Sequence, residues 1–194
     1  MRKNRVCGIL LAGGVAAALA LGACGTGNGS EHATESTEAT ETATEAATAT
    51  DEYTYDVYLS SPFFNEEELK NVQAVEKVLD DQGLTYFSPR LNKIDSEVGS
   101  YEWGKEIFDA DIKAADEAAM MIVVYYGNYS DSGTSFEQGY FYHTGKPVVV
   151  VHARRDESSN IMNVYGATTN IYLDELADTD LRNPEKKNFE GSLI

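Results

Sequence analysis

Cysteine is almost missing from this chain of 194 residues: there are two, Cys7 and Cys24, beside three histidines and one tryptophan. Cys7 falls in a segment expected to be removed, so one cysteine remains and no internal disulfide holds the mature protein together. His32, His143 and His152 have no cysteine or histidine partner at metal-ligand spacing, so no metal site is read from them. Bases are scarce too: 15 lysines and arginines against 32 acids give a formal charge of −17. A surface so acidic repels a polyphosphate backbone, which argues against nucleic-acid polymers as partners and leaves a small neutral substrate unaffected. Neither a dinucleotide fingerprint nor a P-loop occurs. The one N-terminal apolar stretch, Ile9 to Leu21, is shorter than the ~20 residues a membrane-spanning helix needs.

That stretch follows Arg2, Lys3 and Arg5 and closes on Leu21-Gly22-Ala23-Cys24, the layout of a secretory signal. The closing tetrapeptide resembles the lipobox of bacterial lipoproteins, which implies lipidation at Cys24 after removal of residues 1–23. The expected location is outside the cell, anchored by lipid to the outer face of a bacterial membrane. Residues 24–51 are almost wholly Thr, Ala, Glu, Ser and Gly, with no aromatic or large aliphatic side chain. Such a composition buries too little to offset chain entropy, so a disordered tether is expected.

Residues 52–194 have the size of one domain. Six acids and three bases precede them, leaving 26 acids against 12 bases, a net of −14. Strand candidates (55–61, 84–89, 120–126, 146–153) alternate with helical segments (65–83, 102–118 and one that the motif at 131–140 begins and that ends near Gly145), followed by a weaker helix-strand unit at 159–173. "MMIVVYY" and "VVVVHA" are apolar throughout, as strands buried on both faces are. The pattern implies an α/β fold with a parallel sheet of about five strands and helices on both faces. Ligands in such sheets bind beyond the carboxyl ends of the strands, here 60–64, 88–93, 127–137 and 152–163.

Within that set lies "DSGTSFEQGY" (131–140). Glu137 has two readings. Thr134-Ser135-Phe136-Glu137 fits a capping box, in which the threonine caps a helix and the glutamate reaches back. Alternatively Glu137 is a nucleophile. Gly133 and Gly139 flank it, which lets backbone or ligand approach closely, and Asp131 lies six residues upstream. Asp111 sits on the core-facing stripe of the preceding helix, where an unpaired acid is costly. Three acids aimed at one crevice suit sugar chemistry and disfavour a phosphate, for which Ser60, Ser61 and Arg90 offer only a weak cradle.

Several segments together resemble the nucleoside 2-deoxyribosyltransferase family: "YLSSPFF" (58–64), "FSPR" (87–90), "WGKEIFDADIKAADEA" (103–118), "GNYSDSGTSFEQGYFYHTGKPVVVV" (127–151), "NIMNVYG" (160–166) and "NFEGSLI" (188–194). The D-x-G-x-x-x-E-x-G-Y pattern followed by Gly-Lys-Pro is the most specific of them. The resemblance implies a flavodoxin-like three-layer sandwich and a double displacement at C1′ of a 2′-deoxynucleoside, with no cofactor. Glu137 then matches the nucleophile and Asp111 the aspartate that protonates the departing base. Asp131 matches the residue that binds sugar hydroxyls, and Tyr58 the tyrosine that orients the nucleophile. Phe63 and Phe64 match aromatics that pack on the base, with core filling as the alternative. Asn160 matches a sugar-contacting asparagine given by a neighbouring subunit, with a helix cap as the alternative; a homo-oligomer with shared sites is implied. The partners implied are 2′-deoxynucleosides and free nucleobases. Alternative functions are a deoxynucleoside or deoxynucleotide N-glycosidase, with water as acceptor, and a non-catalytic nucleoside-binding lipoprotein.

Overall fold

The computed structural model describes residues 53–194; the signal segment 1–23, the tether 24–51 and Cys24 lie outside the described residues. Five strands, β1 (Tyr55–Ser60), β2 (Tyr86–Phe87), β3 (Ala118–Tyr125), β4 (Val148–His152) and β5 (Thr169–Tyr172), form one parallel sheet in the order β2-β1-β3-β4-β5. Four helices connect them: α1 (Glu66–Asp81), α2 (Tyr101–Asp116), α3 (Ser132–Tyr142) and α4 (Ile161–Tyr165). A 3-10 turn, Leu173–Asp178, follows β5. No helix among the described residues is long and apolar enough to cross a membrane.

Alternation along the strands divides the core in two. Val57, Leu59, Ile122, Val124, Val149 and Val151 face Val72, Val75 and Leu79 of α1, together with Leu176 of the 3-10 turn. Tyr58, Met121, Val123, Tyr125 and Val150 point the other way, towards Ala114 and Ala115 of α2 and Phe141 of α3. The result is a three-layer α/β sandwich of flavodoxin-like topology, as the resemblance implies. Chain progression reverses between β1 and β3, and the crevice at that switch point opens beyond their carboxyl ends.

Local chemistry sets the helix limits. Asn65 caps α1 by accepting from the Glu68 amide at 3.0 Å, and Glu66, Glu67 and Glu68 in the first turn favour the positive end of the helix dipole. The apolar stripe of α1 starts one turn later than its spacing predicts, because Leu69 is exposed. The opposite ends of α1 and α2 are closed by cations. Arg182 donates to the Gln82 and Gly83 carbonyls at 3.0 and 2.9 Å, and Lys146 to those of Ala115, Asp116 and Ala118 at 3.1, 3.0 and 2.7 Å. Such carbonyls have no partner within their own helices. The second strand is shorter than the expected 84–89: only Tyr86 and Phe87 pair with β1 before Pro89 begins a 3-10 turn.

Candidate active site

Tyr58 and Ser60 lie on the same face of β1, two residues apart, and both are fully buried. Ser60 is the last residue of the strand. Its hydroxyl crosses to α3 and donates to Glu137 Oε2 at 2.5 Å. Glu137 is therefore no capping glutamate. The helix begins at Ser132, and Asp131 is its N-cap, accepting from the Thr134 amide at 2.8 Å through Oδ2. Thr134 is the third helical residue and is buried, which places Glu137 a turn and a half inside the helix. The local threonine-to-glutamate spacing was right for a capping box, but an aspartate three residues earlier is the better cap.

Glu137 shares its surroundings with Asp111 of α2 and Tyr58. Burial is the main force raising the Glu137 carboxyl above its ordinary range; the Ser60 hydrogen bond and the nearby Tyr58 hydroxyl oppose it, and the Asp131 charge adds to it. Asp111 is pushed up to about 7, first by burial and then by the charge of Glu137. The Tyr58 phenol is held far above its usual range by burial and then by Glu137 and Asp111. Asp111 Oδ1 is in addition a buried polar atom that lacks a hydrogen-bond partner, whereas the buried Tyr58 hydroxyl has Glu137 beside it. Such an orphaned atom is costly in a core.

The other sequence candidates are placed as follows. Gly133 is exposed, and a Cβ there would come within 2.8 Å of Asp131 Oδ2, so its bareness serves the helix cap. Gly139 lines a cavity of about 340 Å³ with Met162 and Tyr165, a cavity whose wall does not include Glu137. Phe63 is half-buried and packs against the α1-side core, the core-filling alternative; Phe64 stacks on it with ring centroids 5.4 Å apart and is 75% exposed. Asn160 caps α4 by accepting from the Met162 amide at 2.9 Å, the second of its two readings, and is exposed. The weak phosphate cradle is not formed. Ser60 serves Glu137, and Ser61 donates to the Pro62 carbonyl at 2.8 Å. Arg90 pairs with the buried Glu76, which also accepts from Ser88 at 2.8 Å. Among the described residues no cluster of three or more His, Cys, Asp or Glu is arranged to hold a metal ion. The partner that sequence reasoning missed is Ser60, assigned there only to the phosphate cradle. Its contact spans 77 residues, and its sole sequence signal is its place at a strand end.

A parallel sheet of this order, with the part-buried Glu137 and Asp111 near its switch point, is the architecture of α/β proteins that bind ligands beyond the strand ends. The model of the nucleoside 2-deoxyribosyltransferase family matches residues 57–176, more than half of the chain, and the chain belongs to that family. A 2-deoxyribosyltransferase from the psychrotolerant bacterium Bacillus psychrosaccharolyticus is similar in structure, with a TM-score of 0.64 and 36% identity, over 69% of this chain and 98% of that one. A protein of Thermofilum pendens (strain DSM 2475 / Hrk 5) named "Putative 2'-deoxynucleoside 5'-phosphate N-hydrolase 1" is 28% identical over 128 residues, 64% of this chain and 87% of its own length. The chain is thus an enzyme of the deoxyribosyltransferase and related N-hydrolase class, whose family acts on deoxynucleosides and nucleobases.

Proposed function

We propose that the enzyme transfers 2-deoxyribose between nucleobases through a covalent deoxyribosyl ester on Glu137. The observation that carries this reading is the Glu137 carboxylate itself, held by Ser60 beside Asp111 and the buried Tyr58 hydroxyl. Ser60 occupies Oε2, which leaves Oε1 to attack C1′. The C1′–N bond breaks as the C1′–O bond forms, and Asp111, protonated up to about pH 7, gives its proton to the leaving nitrogen. An acceptor base then attacks C1′ from the vacated side. The ester bond breaks, Glu137 returns to its carboxylate and Asp111 takes the acceptor's proton. Two inversions retain configuration, and the ionised carboxylate stabilises the positive charge that develops on the sugar.

The preferred donor on this reading is an unphosphorylated deoxynucleoside. Both serines and the arginine of the phosphate cradle are engaged elsewhere, and Glu66, Glu67 and Glu68 occupy the first turn of α1, where a phosphate would otherwise be welcome. Lipidation at Cys24 and a tether over 24–51 make this an exported salvage enzyme, and outside the cell water competes with scarce bases for the ester. Hydrolysis is thus the second reading, and the name of the Thermofilum relative favours it.

The test uses residues 52–194, a span that contains both halves of the core. Incubation with 2′-deoxyinosine should yield hypoxanthine and 2′-deoxyadenosine when adenine is present and no 2′-deoxyadenosine without it, and Glu137→Ala should yield neither product while still binding ligand. Hypoxanthine with free deoxyribose alone, whether or not adenine is present, supports the hydrolase. Absence of turnover with purine, pyrimidine and 5′-phosphorylated donors leaves the non-catalytic binder.

A further inference from the structure

The buried stripe of α3 is Thr134, Gln138 and Phe141, so an amide stands in the middle of a core-facing row, next to Glu137. Burying an amide is costly unless its polar atoms are paired. Gln138, 3% exposed, is paired at both ends with one residue. Its Nε2 donates to the Asn163 carbonyl at 2.7 Å, and its Oε1 accepts from Asn163 Nδ2, also at 2.7 Å. Asn163 Nδ2 reaches a second α3 side chain, Ser135 Oγ, at 3.2 Å.

Both helices need this fastening. The α4 helix has five residues, too few to satisfy the carbonyls of its last turn, and Gln138 satisfies one of them. Apolar packing between α3 and α4 is incomplete, because the cavity of about 340 Å³ lies between them and includes Gln138 and Asn163 in its wall. Gly166, at the end of α4, has no room for a Cβ, which would come within 2.8 Å of the Met162 carbonyl of the same helix and, second, within 3.3 Å of Gln138 Nε2. Along α3 the exposed side chains of Phe136 and Tyr142 contribute little to holding its rotation.

We propose that Gln138 and Asn163 are positioning residues for glycosyl transfer, clamping α3 to α4 so that Glu137 keeps its aim at C1′. The inference rests on the function proposed above. A side chain tip lies roughly 6 Å from a helix axis, so turning α3 by about ten degrees displaces the Glu137 carboxylate by about 1 Å. A misplacement of that size costs on the order of a hundredfold in rate. The same clamp holds Asn160 at the other end of α4.

The experiment compares the wild type with Ser135→Ala and with the double variant Gln138→Met, Asn163→Leu. The double variant removes both polar partners together and avoids leaving one buried amide unpaired. Deoxyinosine-to-deoxyadenosine turnover gives kcat and KM, and thermal melting reports the fold. The expected result is a kcat at least tenfold lower in the double variant, with KM within about twofold and a cooperative melt retained. Ser135→Ala, which loses only the 3.2 Å bond, should lose about two- to threefold in kcat. Wild-type kcat in a folded double variant overturns the clamp. So does a fully active Ser135→Ala if the double variant fails to fold. A wild type without turnover sinks the functional reading instead, and the clamp with it.

Discussion

Three side chains at the strand ends account for the pH behaviour expected of this enzyme. Glu137 must be ionised to attack and Asp111 protonated to assist, although burial raises both carboxyls. The profile of kcat/KM should therefore be a bell whose alkaline limb falls near pH 7 as Asp111 loses its proton, and the two apparent values belong to the pair. Asp111→Asn should remove that limb along with most of the rate, read from initial rates between pH 4 and 9. The same shift bears on stability. A carboxyl whose folded pKa is raised favours the fold while protonated, and its contribution declines as pH rises from the unfolded value through the folded one. Asp111→Asn should accordingly melt higher than wild type at pH 8 and alike at pH 3.5. Ser60 acts on the other limb. Its hydroxyl stabilises the ionised form of Glu137, so Ser60→Ala should move the acid limb upward. An unmoved acid limb in Ser60→Ala would argue that the 2.5 Å contact has no hold on the nucleophile.

Helix α3 joins stability and function through its first residue and its cap. Asp131→Ala should cost about 1 kcal/mol by urea unfolding, whereas Asp131→Asn, an equally good cap, should cost only a few tenths. If Asp131 also binds a sugar hydroxyl through its charge, Asp131→Asn will raise KM without lowering stability, and a coincidence of the two losses would reduce the residue to a cap. This element also marks the limit of sequence reading. The strands β3 and β4 were legible because a run such as Val148–Val151 is apolar on both faces. The start of α3 was not legible, since Thr134-x-x-Glu137 satisfies the spacing of a capping box while Asp131 performs the capping. Contacts over long sequence separation were equally hidden. Ser60 with Glu137 and Gln138 with Asn163 depend on the rotation of α3 against β1 and α4, which no local pattern specifies. Arg90 looked free to meet a ligand because its partner, Glu76, is on a different element, buried on α1.

At the scale of the molecule, the α2–α3–α4 side is the part least finished as a monomer surface. Phe108 and Phe136 lie 6.2 Å apart between ring centroids and are both exposed; Tyr142, Met162 and Tyr165 add further exposed apolar area. Large exposed apolar groups gathered on one side mark interaction surfaces more often than single ones do. Asn160 lies at the same end of α4 as Met162, exposed and held by its own helix cap. A homo-oligomer in which this side meets its copy would cover these residues and bring Asn160 towards a neighbour's Glu137. Light scattering should then give a multiple of the protomer mass for residues 52–194, and Met162→Glu with Tyr165→Glu should reduce it to the protomer. Shared sites make a sharper prediction than mass. Glu137→Ala and Asn160→Ala are each expected to be inactive, yet in a mixed dimer one of the two sites would hold a wild-type Glu137 from one chain and a wild-type Asn160 from the other. Unfolding and refolding an equal mixture should restore about a quarter of wild-type turnover, since half of randomly assorted dimers are mixed and half of their sites are intact. A mixture no more active than its parents would place every catalytic group of a site within one chain.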